Sequence, residues 1–284
     1  MILPDFALAS RANQRWQYSG IDSPENCFDK KHFESYPHDI EYLFNSRGYR
    51  DQEWPTELAQ LKSAIWCIGD SFTVGLGLPE TYTWPNMLQQ AVRTRTINVS
   101  MDGASNDWIA RKTIDVLQQI SPRTIVIHWS YIHRAELDDV TLSDEDRRLH
   151  FDNSTFLETE SKLKFIDLVK QVESAKQSTN VIHSFIPNFG FTPDILSIWN
   201  QIAGPDWPAC PVDLEEFNKL SNQIRDELTN FFKLYTVFEL HYQLYNGINY
   251  IPEIQIVDFA RDNYHYGIET SKTFVQKILQ TLND

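Results

Sequence analysis

No run of the chain approaches the roughly 20 consecutive apolar residues that a bilayer-crossing helix needs, so no membrane span is expected in its 284 residues. Cysteine is scarce. Cys27, Cys67 and Cys210 stand far apart with no paired spacing, which fits neither a disulfide framework nor a zinc site and points to a reducing compartment. Positive charge is also short, with 25 Lys and Arg against 39 Asp and Glu. The formal charge of −14 repels a phosphate backbone, and nucleic acid is not an expected partner. No H-E-x-x-H or equivalent spacing is present, so no metal is expected. Gly75-x-Gly77 lacks both the Lys-Ser/Thr of a phosphate loop and the third glycine of a dinucleotide fingerprint, and no cofactor is expected. Internal repeats and low-complexity tracts are absent. The opening Met1–Ser10 carries an acid in its short apolar run and no basic flank, so no signal peptide is read there and a cytoplasmic location is the expectation.

What is there is enough apolar material for one large globular domain: 42% hydrophobic and 23% charged residues. Residues 1–60 are polar, scattered in period and punctuated by proline and glycine, as in an extension packed on a core. From residue 61 to 284 the pattern is that of a single α/β domain. Ala64–Ile68, Thr96–Ser100, Thr124–His128, Asn180–Phe185 and Ile254–Val257 read as short strands. Helical spacing occurs at Trp84–Arg93, Trp108–Leu117, Leu163–Ala175, Leu214–Phe232 and Ile268–Leu282. Alternation of buried strand and amphipathic helix predicts a parallel sheet of about five strands covered on both faces. Residues 134–160 are dense in Asp and Glu and read as a solvated insertion.

In open parallel sheets the ligand crevice lies beyond the carboxyl ends of the strands. After the first long strand comes Gly69-Asp70-Ser71-Phe72-Thr73, which presents a serine at the start of a helical turn. Ser and Asp also favour such positions simply as helix caps, so both roles stay open. After the last predicted strand comes Asp262-Asn263-Tyr264-His265. A serine hydroxyl needs a base to take its proton, and an imidazole whose tautomer is fixed by a carboxylate suits that task. The conjunction of the two signals carries more weight than either.

These residues, with Gly103 after the second strand and Asn45-Ser46-Arg47-Gly48-Tyr49-Arg50 before the first, resemble the SGNH hydrolase superfamily of GDSL-type esterases and lipases. The resemblance runs from about Asn45 onward. It implies a three-layer α/β/α fold like that of flavodoxin and metal-free ester hydrolysis through an acyl-enzyme. It implies Ser71 as nucleophile, His265 as base and then acid, Asp262 as the orienting carboxylate, and the backbone N–H groups of Ser71 and Gly103 as oxyanion donors.

One element departs from the pattern. The family places Gly-x-Asn after the third strand, where this chain reads Ile127-His128-Trp129-Ser130-Tyr131-Ile132-His133-Arg134. Loss of one oxyanion donor costs about 2.7–4 kcal/mol of transition-state stabilisation. Asn106 is the first candidate replacement, or else a helix cap, with Ser130 and Tyr131 behind it. Trp129, Tyr131 and Tyr264 lie near strand ends, where they would flank a substrate or pack. The expected function is a serine esterase releasing small acyl groups, with a carbohydrate ester among its expected small-molecule substrates. The alternatives are an O-acyltransferase and a catalytically impaired binding or assembly module.

Overall fold

Short runs of Ile and Val that are apolar on both faces bury themselves only in a sheet covered on both sides, and four such runs form the centre of this chain. The computed structural model describes residues 7–131, 134, 136, 159–186, 203, 205–209, 219–221, 223–224, 248–251, 254 and 256–283. The first segment forms an antiparallel pair, β1 (Arg15–Trp16) with β2 (Tyr42–Leu43), and the short helices α1 (Lys30–Ser35) and α2 (Leu58–Ser63). Asp29 caps α1, accepting from the N–H groups of Lys31 and His32. Then come β3 (Ile65–Gly69), α3 (Ser71–Val74), α4 (Trp84–Val92), β4 (Thr96–Ser100), α5 (Asn106–Gln119) and β5 (Thr124–Trp129). After them stand α6 (Thr159–Ala175), β6 (Asn180–Phe185), β7 (Asn249–Tyr250) and α7 (Ile268–Asn283).

The five-stranded sheet is parallel throughout, in the order β4-β3-β5-β6-β7. Alternate residues serve opposite faces. Ile65, Cys67, Val126 and Ile182 meet Trp84 and Leu88 of α4 and Phe274, Val275 and Ile278 of α7. Trp129 faces the other way, its ring 5.3 Å from Phe165 of α6, and α5 packs beside α6. The result is three layers, α/β/α. Gly69 pairs with Ser100 on one side and His128 on the other, so β3, β4 and β5 end level and their C-terminal loops share one rim.

The fifth strand differs from the sequence expectation. It is Asn249–Tyr250, and the described part of Ile254–Val257 joins no strand. Ile254 is buried against α7, but the N–H groups of Val257 and of the next residue, Asp258, both donate to Thr270 Oγ1 rather than to a neighbouring strand. Apolar content there serves packing of a connection. The acidic stretch 134–160 lies outside the described residues except at 134, 136, 159 and 160. The expected helix Leu214–Phe232 also lies outside them, apart from residues 219–221 and 223–224. The chain divides into one unit of Met1–Ile186 with Gly247–Asp284 and another of Pro187–Asn246. In the second, Leu220 is buried and Ile224 N–H donates to Ser221 Oγ. Among the described residues no helix is long and apolar enough to cross a membrane.

His128 occupies the core itself, with Nδ1 2.9 Å from Ser184 Oγ and Nε2 3.0 Å from Tyr266 Oη. Burial drives its pKa down from 6.5 to about 3. The unfolded chain therefore binds a proton that the folded one refuses, and stability falls as pH drops below the ordinary imidazole value. Between pH 7 and pH 5 this group alone removes about 2 kcal/mol. Denaturant midpoints at the two pH values should show that loss in wild type and much less of it in His128→Gln; an equal loss in both would exclude His128 as the source.

Candidate active site

Gly69 ends β3 because no side chain fits there: a Cβ would sit 2.1 Å from Thr73 Oγ1 and 2.9 Å from the His128 carbonyl oxygen. The chain then turns into α3, where Asp70 Oδ1 accepts from Phe72 N–H at 3.0 Å and so acts as the cap. Ser71 opens the helical turn. Its hydroxyl lies 2.8 Å from His265 Nε2, although 194 residues separate the two. His265 Nδ1 lies 2.6 Å from Asp262 Oδ2. An ionised carboxylate only accepts, so Nδ1 carries the hydrogen and Nε2 accepts from Ser71. Asp262 Oδ1 takes the N–H groups of Tyr264 and His265, each at 3.0 Å, which fixes the short loop into one turn.

All three side chains are buried. Burial disfavours charge on His265, but the Asp262 charge and hydrogen bond outweigh it and raise the imidazole pKa above 6.5. Burial likewise opposes charge on Asp262, and His265 with the two N–H donors overcomes it, lowering that carboxyl below its ordinary value. The pair is thus set to hold a proton on the histidine and a negative charge on the aspartate.

Gly103 stands on the same rim, after β4, with φ at +69°, which glycine adopts without strain. Among the described residues its N–H makes no hydrogen bond. Asn106 does not replace the missing asparagine. Its carboxamide nitrogen donates to the carbonyls of Ser130 (3.3 Å) and Tyr131 (2.9 Å), and its oxygen accepts from Ser130 N–H at 2.9 Å. Both amide hydrogens are spent on the backbone after β5, so Asn106 clamps that loop, and the cap of α5 is its neighbour Ser105. Ser130 is occupied too. Its hydroxyl lies 2.6 Å from Asp70 Oδ2, which also pairs with the Arg134 guanidinium at 2.9 Å. Burial raises the Asp70 pKa, with Arg134 and Ser130 opposing the rise.

Trp129 is not a substrate surface. It is fully buried, donates from Nε1 to His183 Nδ1 at 3.0 Å and stacks on that ring, so it packs inside the fold and does not reach the rim. Tyr131 and Tyr264 do come together, with their hydroxyl oxygens 2.9 Å apart. Phe72 packs beside both tyrosines and the histidine, its ring 6.3 Å from Tyr131, 6.0 Å from Tyr264 and 4.6 Å from His265. His133 lies outside the described residues. Among those described, no three His, Cys, Asp or Glu side chains gather as a metal site.

Sequence reasoning missed the role of the first segment. Arg50, completely buried, gives its guanidinium to the carbonyls of Val74, Gly75, Leu78 and Glu41. Tyr42 Oη accepts from Gly77 N–H at 2.8 Å and donates to Asp22, which pairs with Arg261 at 2.6 Å. Arg261 N–H in turn donates to the Gly77 carbonyl, and His32 Nε2 reaches the Ala260 carbonyl at 2.7 Å. Residues 7–50 therefore hold both the turn after Ser71 and the residue before Asp262. The signal available was Asn45-x-x-Gly48-Tyr49-Arg50, whose likeness to the family does not by itself state a role.

No protein-family model matches the chain, and no curated protein matches it. Among solved structures it is similar to TesA at 13% identity and TM-score 0.47, over 78% of this chain and 98% of that one. A lipolytic protein of the G-D-S-L family from Desulfitobacterium hafniense DCB-2 matches at 16% identity and TM-score 0.45, over 77% and 99%. A carbohydrate acetylesterase family member from Sinorhizobium meliloti matches at 12% identity and TM-score 0.43, over 78% and 97%. At such values the fold rests on the sheet described above, and the chemistry on the geometry of the rim.

Proposed function

We propose that the chain is an SGNH-type serine esterase that releases small acyl groups, with a carbohydrate ester as a candidate substrate. The unbroken hydrogen-bond chain Ser71–His265–Asp262 carries this reading. Ser71 Oγ attacks the ester carbonyl while its proton passes to His265 Nε2, and Asp262 stabilises the imidazolium that results. The proton then goes to the departing alkoxide, which leaves an acyl group on Ser71. Water, deprotonated by the same nitrogen, attacks the acyl carbon, and the imidazolium returns that proton to Ser71 Oγ as the acid is freed. Backbone N–H groups of Ser71 and Gly103 receive the carbonyl oxygen as it gains charge. Two side chains that could have added a third donor are committed elsewhere, so turnover is expected to be slower than with an asparagine in place.

The direct test is intact mass after treatment with a fluorophosphonate. One adduct in wild type and none in Ser71→Ala supports the reading; no adduct on the folded wild type, beside a labelled control hydrolase, removes it in favour of a binding module. A second expectation concerns pH. The base works only when neutral, and Asp262 raises its pKa, so the acid limb of kcat/KM should have its midpoint above 6.5. Asp262→Asn should move that midpoint down and lower kcat by about 10⁴. A midpoint that stays put would show that some other group controls the limb.

A further inference from the structure

A groove of about 940 Å³ opens along the first segment, between α1 and the β1–β2 pair, and Arg261 forms part of its wall. Its volume is within the range of ligand sites, roughly 300–1,000 Å³. Trp16, Tyr18, Phe33, Tyr36 and His38 line it, all half-buried. These rings line the groove while remaining partly packed in the protein, and guanidinium groups brace three of them. The Arg11 guanidinium lies 5.5 Å from the Trp16 ring centre, and that of Arg261 lies 5.1 Å from Tyr18 and 5.3 Å from Phe33. Arg261 is itself anchored by Asp22 and the Gln17 carbonyl. Rings held this way are pre-ordered, and a ligand stacking on them loses little freedom of theirs.

Charge narrows the ligand. Arg15 is paired with Glu41 and Arg261 with Asp22, which leaves Glu34 and Asp39 as the charged groups on the lining with no ion pair among the described residues. An anion meets no free cation there. A ligand cation stacked on Tyr18 or Phe33 would lie close to the Arg261 guanidinium that braces those rings, and would be repelled by it. Exposed Gln17, Glu34 and Asp39 offer hydrogen-bond acceptors that a hydrocarbon would leave unused. We propose that this groove binds a neutral carbohydrate, with sugar C–H faces on the aromatic rings and hydroxyls on Gln17, Glu34 and Asp39. Ester cleavage at Ser71 is not required for it.

The test is saturation-transfer NMR on the full chain carrying Ser71→Ala, so that no substrate is turned over. Neutral oligosaccharides of glucose, xylose and mannose are the probes, with tetramethylammonium as the cationic comparator. At least one sugar should receive saturation, with its Kd raised about fivefold or more by Tyr18→Ala, as expected for loss of an aromatic platform. Gln17→Ala, at an exposed position, should raise the Kd several-fold and keeps the test valid if Tyr18→Ala fails to fold. No transfer to any of the three sugars, transfer unaffected by both variants, or binding of the cation alone would each overturn the proposal. Fluorophosphonate labelling of wild type reads the esterase separately, so failure of either result is distinguishable from failure of the other.

Discussion

Ser71→Ala is expected to lower hydrolysis of an activated acyl ester such as p-nitrophenyl acetate by about a million-fold, and His265→Ala by a similar factor. The basis is the 2.8 Å contact that ties hydroxyl to imidazole: once either member is gone, the other has no partner to act on. The double variant should therefore be no slower than either single one. Alanine removes one oxygen from a buried site and leaves the cap of α3, which belongs to Asp70, in place. Thermal unfolding of Ser71→Ala should stay close to wild type. A rate within about tenfold of wild type in a folded Ser71→Ala would remove the acyl-enzyme route, since no named mechanism leaves so small a loss.

Arg50→Met is expected to destabilise the fold by about 3–5 kcal/mol, the range for breaking a buried charged network from one side. Arg50 satisfies four carbonyl oxygens, at 2.6 Å for Gly75, 2.7 Å for Leu78, 3.2 Å for Glu41 and 3.3 Å for Val74. Its guanidinium also sits 4.2 Å from the Tyr42 ring centre. Methionine fills much of the volume and bonds none of those oxygens. Lysine is charged but has no planar fork with which to meet them, so Arg50→Lys should recover only part of the loss. Denaturant midpoints compared at fixed slope measure both. A loss under about 1 kcal/mol for Arg50→Met would mean that water or a shift of the Gly75–Leu78 turn replaces the arginine cheaply.

Four of the five strands and the helices α4, α5, α6 and α7 were legible because each is a short apolar run or a periodic one, and burial on a sheet requires that pattern. The fifth strand was misplaced for a physical reason. Ile254–Val257 is apolar enough for a strand, yet a strand also needs partners for its N–H groups, and in this region Thr270 takes two of the donors. Hydrogen bonding does not appear in a hydropathy pattern. At the site, the proximity of Ser71, His265 and Asp262 agrees with the rule that strand ends share one rim. Asn106 and Trp129 were each left with two readings because residue type and nearness to a strand end do not state which way a side chain turns. Asn106 faces the backbone after β5, and Trp129 has the parity of Ile125 and Ile127, not of the rim. The first segment was read as an extension because, apart from the short alternation Ile40-x-Tyr42-x-Phe44, its burial comes from scattered residues such as Leu8, Tyr49 and Arg50.

The clasp between the first segment and Arg261 also constrains when the site can form during synthesis. Asp22 and Arg261 are 239 positions apart, and His32 and Ala260 are 228 apart. On a ribosome adding about 5–20 residues each second, the N-terminal half of the clasp waits many seconds for its counterpart to emerge. β3, β4 and β5 are complete long before that, so the sheet centre can assemble while Tyr42, Asp22 and the Gly77 turn still lack Arg261. The residues that hold the turn after Ser71 precede it in the chain, whereas the imidazole that meets its hydroxyl follows 194 positions later, so on the proposed reading a nascent chain carries Ser71 without its base until Asp262 and His265 emerge.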